Sequence, residues 1–279
     1  MEQIGTLAAL QCACQRLRQR FGALALVPTM GALHDGHRAL VRTALASGAA
    51  VVASIFVNPL QFESGEDLLR YPRDEAGDLI ALEASGCHLM WCPDVGLMYP
   101  SNDATTIEVG GPAEGWEGVA RPRHFRDVAT VCAKLFGQVR PDRAYFGEKD
   151  WQQLQVVRRM VADLHLPVEI VSVPTVREDD GLALSSRNRF LTAQERALAP
   201  RLYGALCAAR CALATGEAAE VVLAVARRTL TEVGFSVDYL ALVDGTTMQA
   251  LAAPASGARL ILAARLGSIR LIDNLGTVD

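Results

Sequence analysis

The 279-residue sequence has no Gly-x-x-x-x-Gly-Lys-Ser/Thr motif, so any nucleotide phosphates it handles are not cradled by a P-loop. No apolar run approaches the roughly 18 residues of a membrane span. The first residues show no charged region leading into an apolar stretch and a small-residue cleavage site. The expectation is a soluble, cytoplasmic protein without a membrane partner. Positive charge is not in excess: 27 Lys and Arg against 31 Asp and Glu leave a net charge of −4, which argues against nucleic acid as the main partner. The seven cysteines are odd in number and scattered without a frame, which fits reduced thiols better than disulfides. Cys87, His88 and Cys92 hint at a metal, but no second ligand pair at zinc-like spacing accompanies them, and small apolar fillers are the simpler reading. Repeats and low-complexity tracts are also missing, and 51% hydrophobic with 21% charged residues leaves little room for long disorder.

The most informative stretch present is Val27-Pro28-Thr29-Met30-Gly31-Ala32-Leu33-His34-Asp35-Gly36-His37. Residues Ala23–Val27 read as a buried strand, and Arg38–Ala46 places apolar residues at helical spacing, so both histidines fall at a strand-to-helix turn. In an open parallel sheet such turns lie where ligands bind, and the amides opening the next helix attract anions. Two imidazoles there can donate to phosphate oxygens as charge builds in a transition state. Two polar residues that merely cap a helix are the bland alternative.

Strands and helices then alternate. Expected are a strand over Ala50–Val57, a helix over Glu75–Ser85, a short strand Cys87–Trp91 and a helix Phe125–Gln138. A strand Arg143–Phe146, a helix Trp151–Leu164 and a strand Val168–Val171 follow. This order predicts an α/β fold with a doubly wound, parallel, Rossmann-like sheet over residues 1–175. From Thr192 to Val233 two alanine-rich helices, broken at Thr215-Gly216, precede strands at Ser236–Val243, Arg259–Ala264 and Ile269–Asn274. Residues 176–279 therefore read as a smaller C-terminal α+β domain, with the character of a lid.

Four further stretches carry residue types that packing alone does not explain. In Phe56-Val57-Asn58-Pro59-Leu60-Gln61-Phe62, Asn58 and Gln61 suit reading hydroxyl and carboxylate groups on a small substrate, although an Asn-Pro turn with a buried Gln is an equal alternative. The segment from Glu66-Asp67 through Tyr71-Pro72-Arg73 to Asp78 offers carboxylates for Mg²⁺, with Asp78 the candidate ligand, or simply a solvated acidic helix face. In Phe146-Gly147-Glu148-Lys149-Asp150, Gly147 allows close backbone approach, Lys149 offers a point charge for a triphosphate, and Asp150 can take a ribose hydroxyl or a metal. Gln152 and Gln153 extend that polar rim. In Val176-Arg177-Glu178-Asp179-Asp180-Gly181-Leu182-Ala183-Leu184-Ser185-Ser186-Arg187-Asn188, Ser185, Ser186 and Arg187 can bind β and γ phosphates; helix capping by the serines competes. No cysteine, serine or aspartate nucleophile stands beside an evident base. The natural chemistry is attack of a substrate carboxylate on an α-phosphate, with the protein orienting groups and stabilising charge.

With those residues in view, the chain resembles the pantothenate synthetase (pantoate–β-alanine ligase) family, within the wider group of nucleotidyltransferases with H-x-G-H turns. The matching text runs through the first 190 residues: PTMGALHDGH, FVNPLQF, EDLLRYP, MYP, RPRHF, PDRAYFGEKDWQQL and PTVREDDGLALSSRNRFL. The resemblance implies that pantoate and ATP with Mg²⁺ form a pantoyl adenylate, releasing pyrophosphate, and that β-alanine then attacks to give pantothenate and AMP. It implies that Met30, His34 and His37 line the ATP site, the histidines meeting phosphates. It also implies that Gln61 and Gln153, assisted by Asn58, hold pantoate. Gly147 and Val176 would meet adenine through their backbones, Asp150 the ribose, and Lys149, Ser185, Ser186 and Arg187 the phosphates. A homodimer is implied as well. Arg123 and Asp127 stand where similar sequences often have glycine, which bears on local loop geometry and not on the reaction. Another H-x-G-H nucleotidyltransferase, keeping a nucleotidyl diester as its product, is the alternative.

Overall fold

A computed structural model describes residues 1–62, 68–69 and 71–277. Glu66 and Asp67 lie outside the described residues. The chain separates into two compact units. The first comprises 1–109, 121–148 and 156–174; the second comprises 110–120, 149–155 and 175–279. Two segments that precede the expected 175/176 boundary, 110–120 and 149–155, thus belong with the C-terminal unit.

The first unit holds a six-stranded sheet made of β1 (Glu2–Ile4), β2 (Leu24–Thr29), β3 (Ala50–Ile55), β4 (Leu89–Trp91), β5 (Arg143–Gly147) and β6 (Glu169–Val173). Its order is β1-β4-β3-β2-β5-β6 and every pairing is parallel. The doubly wound parallel sheet is therefore present. Parallel strands buried on both faces should be apolar throughout, and Leu24, Ala25, Leu26, Val27 and Ala50 to Ala53 are all almost fully buried. On one face Ala25, Val27, Val51 and Ala53 pack with Leu40, Val41 and Ala44 of α2 (Asp35–Ala46) and Leu82 of α3 (Glu75–Ala84). Helices α1 (Leu7–Phe21) and α4 (His124–Val139) pack on each other and on β2. The chain reverses direction across the sheet between β2 and β5, and such a switch point is where open α/β sheets bind ligands.

Expected and observed boundaries differ by a residue or two for most elements. The short edge strand β1 went unread because three residues carry no periodicity. α5 (Trp151–Asp163) begins where expected. In the second unit the first alanine-rich stretch is split, with Ala193–Leu198 ending before Pro200 and α6 (Arg201–Ala214) starting after it. Proline lacks an amide to continue the earlier helix and suits the start of the next. α7 (Ala219–Glu232) follows, then an antiparallel sheet of β7 (Phe235–Asp244), β8 (Ala258–Leu266) and β9 (Ile269–Gly276). Leu202, Leu206, Leu230, Leu242, Leu260 and Leu262 form the centre of this α+β core. Among the described residues no helix is long and apolar enough to cross a membrane.

Candidate active site

The turn after β2 is built residue by residue in the first unit. The Thr29 hydroxyl donates to the Ser54 carbonyl at 2.8 Å and accepts from the Gly31 amide at 3.2 Å, which starts the chain away from the sheet. Gly31 (φ 79°) and Ala32 (φ 51°) both take the left-handed region. For Ala32 that conformation is uncommon, so it needs support from its surroundings. Asp78, the fourth residue of α3, supplies the support: its carboxylate accepts from Ala32 N–H at 2.9 Å and from Leu33 N–H at 2.8 Å. A Cβ on Gly31 would lie 2.7 Å from the same carboxylate, so glycine is needed there for space as well as conformation.

Asp78 was expected as a metal ligand, but its two oxygens serve backbone amides, and Asp78 is only 4% exposed. Among the described residues no group of three or more His, Cys, Asp or Glu side chains is placed to hold a metal. Cys87 is buried and Cys92 half-buried. His88 Nδ1 accepts from Val51 N–H at 3.0 Å, and burial pushes the Cys87 thiol up to about 11 and the Cys92 thiol up to about 12.

The two imidazoles close the turn reciprocally. His34 is the N-cap of α2 and its Nδ1 accepts from Gly36 N–H at 3.2 Å, while His37 Nδ1 accepts from His34 N–H at 3.3 Å. The ring centres lie 4.1 Å apart. Helix capping and phosphate binding, posed by the sequence as alternatives, are thus compatible. An Nδ1 that accepts an amide proton carries none of its own, so each neutral ring bears its proton on Nε2 and presents Nε2–H as a donor. Protonating Nδ1 would set two donors against each other and break the cap.

Asn58 is almost fully buried at the end of β3. Its Oδ1 accepts from Leu60 N–H at 3.2 Å and its amide donates to the Asp127 carbonyl at 3.5 Å, so the Asn-Pro turn is real and shapes the approach to Gln61. Gln61 keeps a half-buried side chain, while Arg121 donates to its backbone carbonyl at 2.7 Å. Nothing at Gln61 in the sequence pointed to Arg121, 60 residues away. Asp127 lies in the first turn of α4, as expected, but it is buried. Burial pushes its carboxyl above the ordinary range, against the pull of Arg126 and Arg123. Gly147 ends β5 opposite Val173, and Met30 is half-buried just past β2.

The remaining candidates belong to the second unit. Lys149 and Asp150 close a 3-10 turn, Glu148–Asp150, with the Lys149 ammonium 3.6 Å from the Asp150 carboxylate. Gln153 is half-buried. Gln152, expected beside it on a polar rim, is buried instead: it donates to the Pro112 carbonyl at 3.1 Å and accepts from Glu117 N–H at 3.1 Å. Val176 accepts from Leu184 N–H at 3.0 Å across a narrow loop bridged at Arg177 and Ala183. That loop delivers Ser185, whose hydroxyl accepts from Arg187 N–H at 3.2 Å and caps a 3-10 turn, Ser186–Phe190. Ser186 is half-buried and Arg187 exposed.

The sequence profile of the pantoate–β-alanine ligase family matches residues 2–276. The chain belongs to this family. Pantothenate synthetase of Granulibacter bethesdensis is 58% identical over 276 residues, covering 98% of this chain and 96% of the relative. That of Acidiphilium cryptum is 60% identical over 252 residues, covering 90% and 91%. The crystal structure of pantothenate synthetase from Thermus thermophilus is similar at a TM-score of 0.94 and 50% identity, covering 100% of both chains. A pantoate–β-alanine ligase from Francisella tularensis, crystallised with beta-gamma ATP and β-alanine, is similar at a TM-score of 0.85 and 30% identity, covering 100% of this chain and 98% of that one. The family match extends over both units, through residue 276 and so beyond the first 190 residues that carry the quoted motifs.

Proposed function

We propose that the chain condenses pantoate with β-alanine to give pantothenate, consuming ATP through a pantoyl adenylate and releasing AMP and pyrophosphate. The observation that carries the reading is the His34–His37 pair, whose Nδ1 atoms accept amide protons of the turn after β2, inside a chain that matches this family over residues 2–276.

In the first step a carboxylate oxygen of pantoate attacks the α-phosphorus of ATP, and the bond to the bridging oxygen of pyrophosphate breaks. Negative charge grows on the phosphate oxygens. His34 and His37 donate to them, and Lys149, Ser185, Ser186 and Arg187 neutralise the departing charge. Met30 lines the ATP site, Gly147 and Val176 meet the adenine through their backbones, and Asp150 takes the ribose. Gln61, on a turn shaped by Asn58, and Gln153 hold the hydroxyl and carboxylate of pantoate. In the second step the free amine of β-alanine attacks the acyl carbon and AMP leaves. Mg²⁺ enters with ATP as part of the substrate. Asp78 holds the turn, since both of its oxygens already accept amide protons. The family resemblance extends the reading to a cytoplasmic homodimer.

The test is pantoate-dependent exchange of labelled pyrophosphate into ATP with β-alanine omitted. Exchange is the expected result. Its absence from folded protein supplied with Mg²⁺ would contradict the adenylate step.

A further inference from the structure

From Leu271 onward strand β9 is apolar except where Asp273 and Asn274 stand side by side, and both are buried, at 3% and 4% exposed. Successive side chains of a strand leave opposite faces, so the pair reaches two different places. Asp273 accepts from Arg177 in a two-pronged ion pair, 2.6 Å to one oxygen and 2.8 Å to the other. The Arg177 guanidinium also donates to the Gly181 carbonyl at 3.1 Å and stacks 3.7 Å from the centre of the Tyr203 ring. This fixes the base of the loop that ends in Ser185, Ser186 and Arg187. Asn274 donates from its amide to the Lys149 carbonyl at 2.9 Å. Its oxygen accepts from Arg259, whose guanidinium lies 3.4 Å from the centre of the Trp151 ring. Trp151 Nε1–H in turn donates to the Gly245 carbonyl at 2.7 Å.

We infer that Asp273 and Asn274 are positioning residues for ATP: one dipeptide of the last strand sets both the Lys149–Asp150 turn and the 177–187 loop. The inference rests on the functional reading above, which gives those two segments the phosphates and the ribose. Two segments well separated in sequence must present cations to one triphosphate within a few tenths of an ångström. Keying both to adjacent residues of one strand meets that demand, because a buried, doubly hydrogen-bonded ion pair and a buried amide leave little freedom.

Asn274→Asp tests it. The variant keeps the shape and a partner for Arg259 but sets an acceptor against the Lys149 carbonyl. Asn274→Ser, smaller and uncharged, decides the matter if the aspartate variant fails to fold. In pantoate-dependent pyrophosphate exchange, kcat/KM for ATP should fall about tenfold while KM for pantoate changes by less than about twofold. In a Lys149→Ala background the same substitution should cost less than in the wild-type background, since the ammonium that the turn presents is gone while the main-chain carbonyl and Asp150 remain. Wild-type exchange in the variants, or an undiminished loss in the Lys149→Ala background, would overturn the positioning role while leaving the function intact. No exchange by the wild-type chain would overturn both.

Discussion

The β2–α2 turn and the 176–187 loop, both given phosphates in the proposed function, are held in opposite ways. In the turn the shaping contacts are mostly short-range: Thr29 to Gly31, His34 to Gly36 and His37 to His34, with Asp78 reaching in from α3 as long-range support. The loop has its own local bonds, but its base is fixed by Arg177 to Asp273, 96 residues away. Locally wired geometry forms with its own strand and helix. Remotely wired geometry exists only once the last strand of the chain is in place, so its precision depends on the whole second unit. Arg187, at the end of that loop, is exposed on the 3-10 turn Ser186–Phe190.

The comparison can be tested by separating capping from donation. His34→Asn retains a good N-cap acceptor but removes the Nε2–H donor. Adenylation should fall about 10²-fold or more while the melting temperature moves by only a few degrees. A fall in stability with little loss of rate would make His34 a cap and nothing else. Next in size is Asp78→Ala, which leaves the Ala32 and Leu33 amides without their acceptor and Ala32 without support in the left-handed region. Unfolding free energy should drop by about 2 kcal/mol, and ATP should bind more weakly. Unchanged stability in denaturant titration would remove Asp78 from its assigned role. Gln61→Ala should raise KM for pantoate about tenfold with KM for ATP nearly constant. Equal loss of both would point to collapse of the Asn58–Gln61 turn.

The smallest effect concerns Asp127. Burial raises its carboxyl pKa, so the folded chain binds a proton there more tightly than the unfolded chain. The stability that the protonated carboxyl contributes is therefore present below its ordinary pKa and lost as pH rises through the raised value. Asp127→Asn should raise the melting temperature slightly at pH 7, and the gain should fade as pH falls into the carboxylate range. A lower melting temperature at pH 7 would show that the Arg126 pair, at 3.7 Å, outweighs burial.

The same contrast governs what could be read in advance. The alternation of apolar runs with helical spacing revealed the parallel sheet, because both periods are local. The H-x-G-H turn was legible for that reason, and so were Gly147 and the serines at 185–186 as turn and cap residues. Asp78 was singled out, but the partner chosen for it was a metal; nothing near residue 78 in sequence shows that Ala32 is left-handed. Gln152 was misplaced on a rim because helical position alone does not show that the 110–120 segment covers it. Asp273 and Asn274 did leave a signal, two polar residues amid the apolar end of a strand. Their partners lie 96 and 125 residues away, and no local pattern names them.

The most direct test of the account follows the oxygen atoms. Pantoate labelled with ¹⁸O in its carboxylate is turned over with ATP, Mg²⁺ and β-alanine, and the products are weighed by mass spectrometry. Attack on the α-phosphorus followed by amine attack on the acyl carbon leaves one labelled oxygen in AMP. Label in orthophosphate with formation of ADP, or unlabelled AMP, would contradict the adenylate and with it the role given to the two histidines.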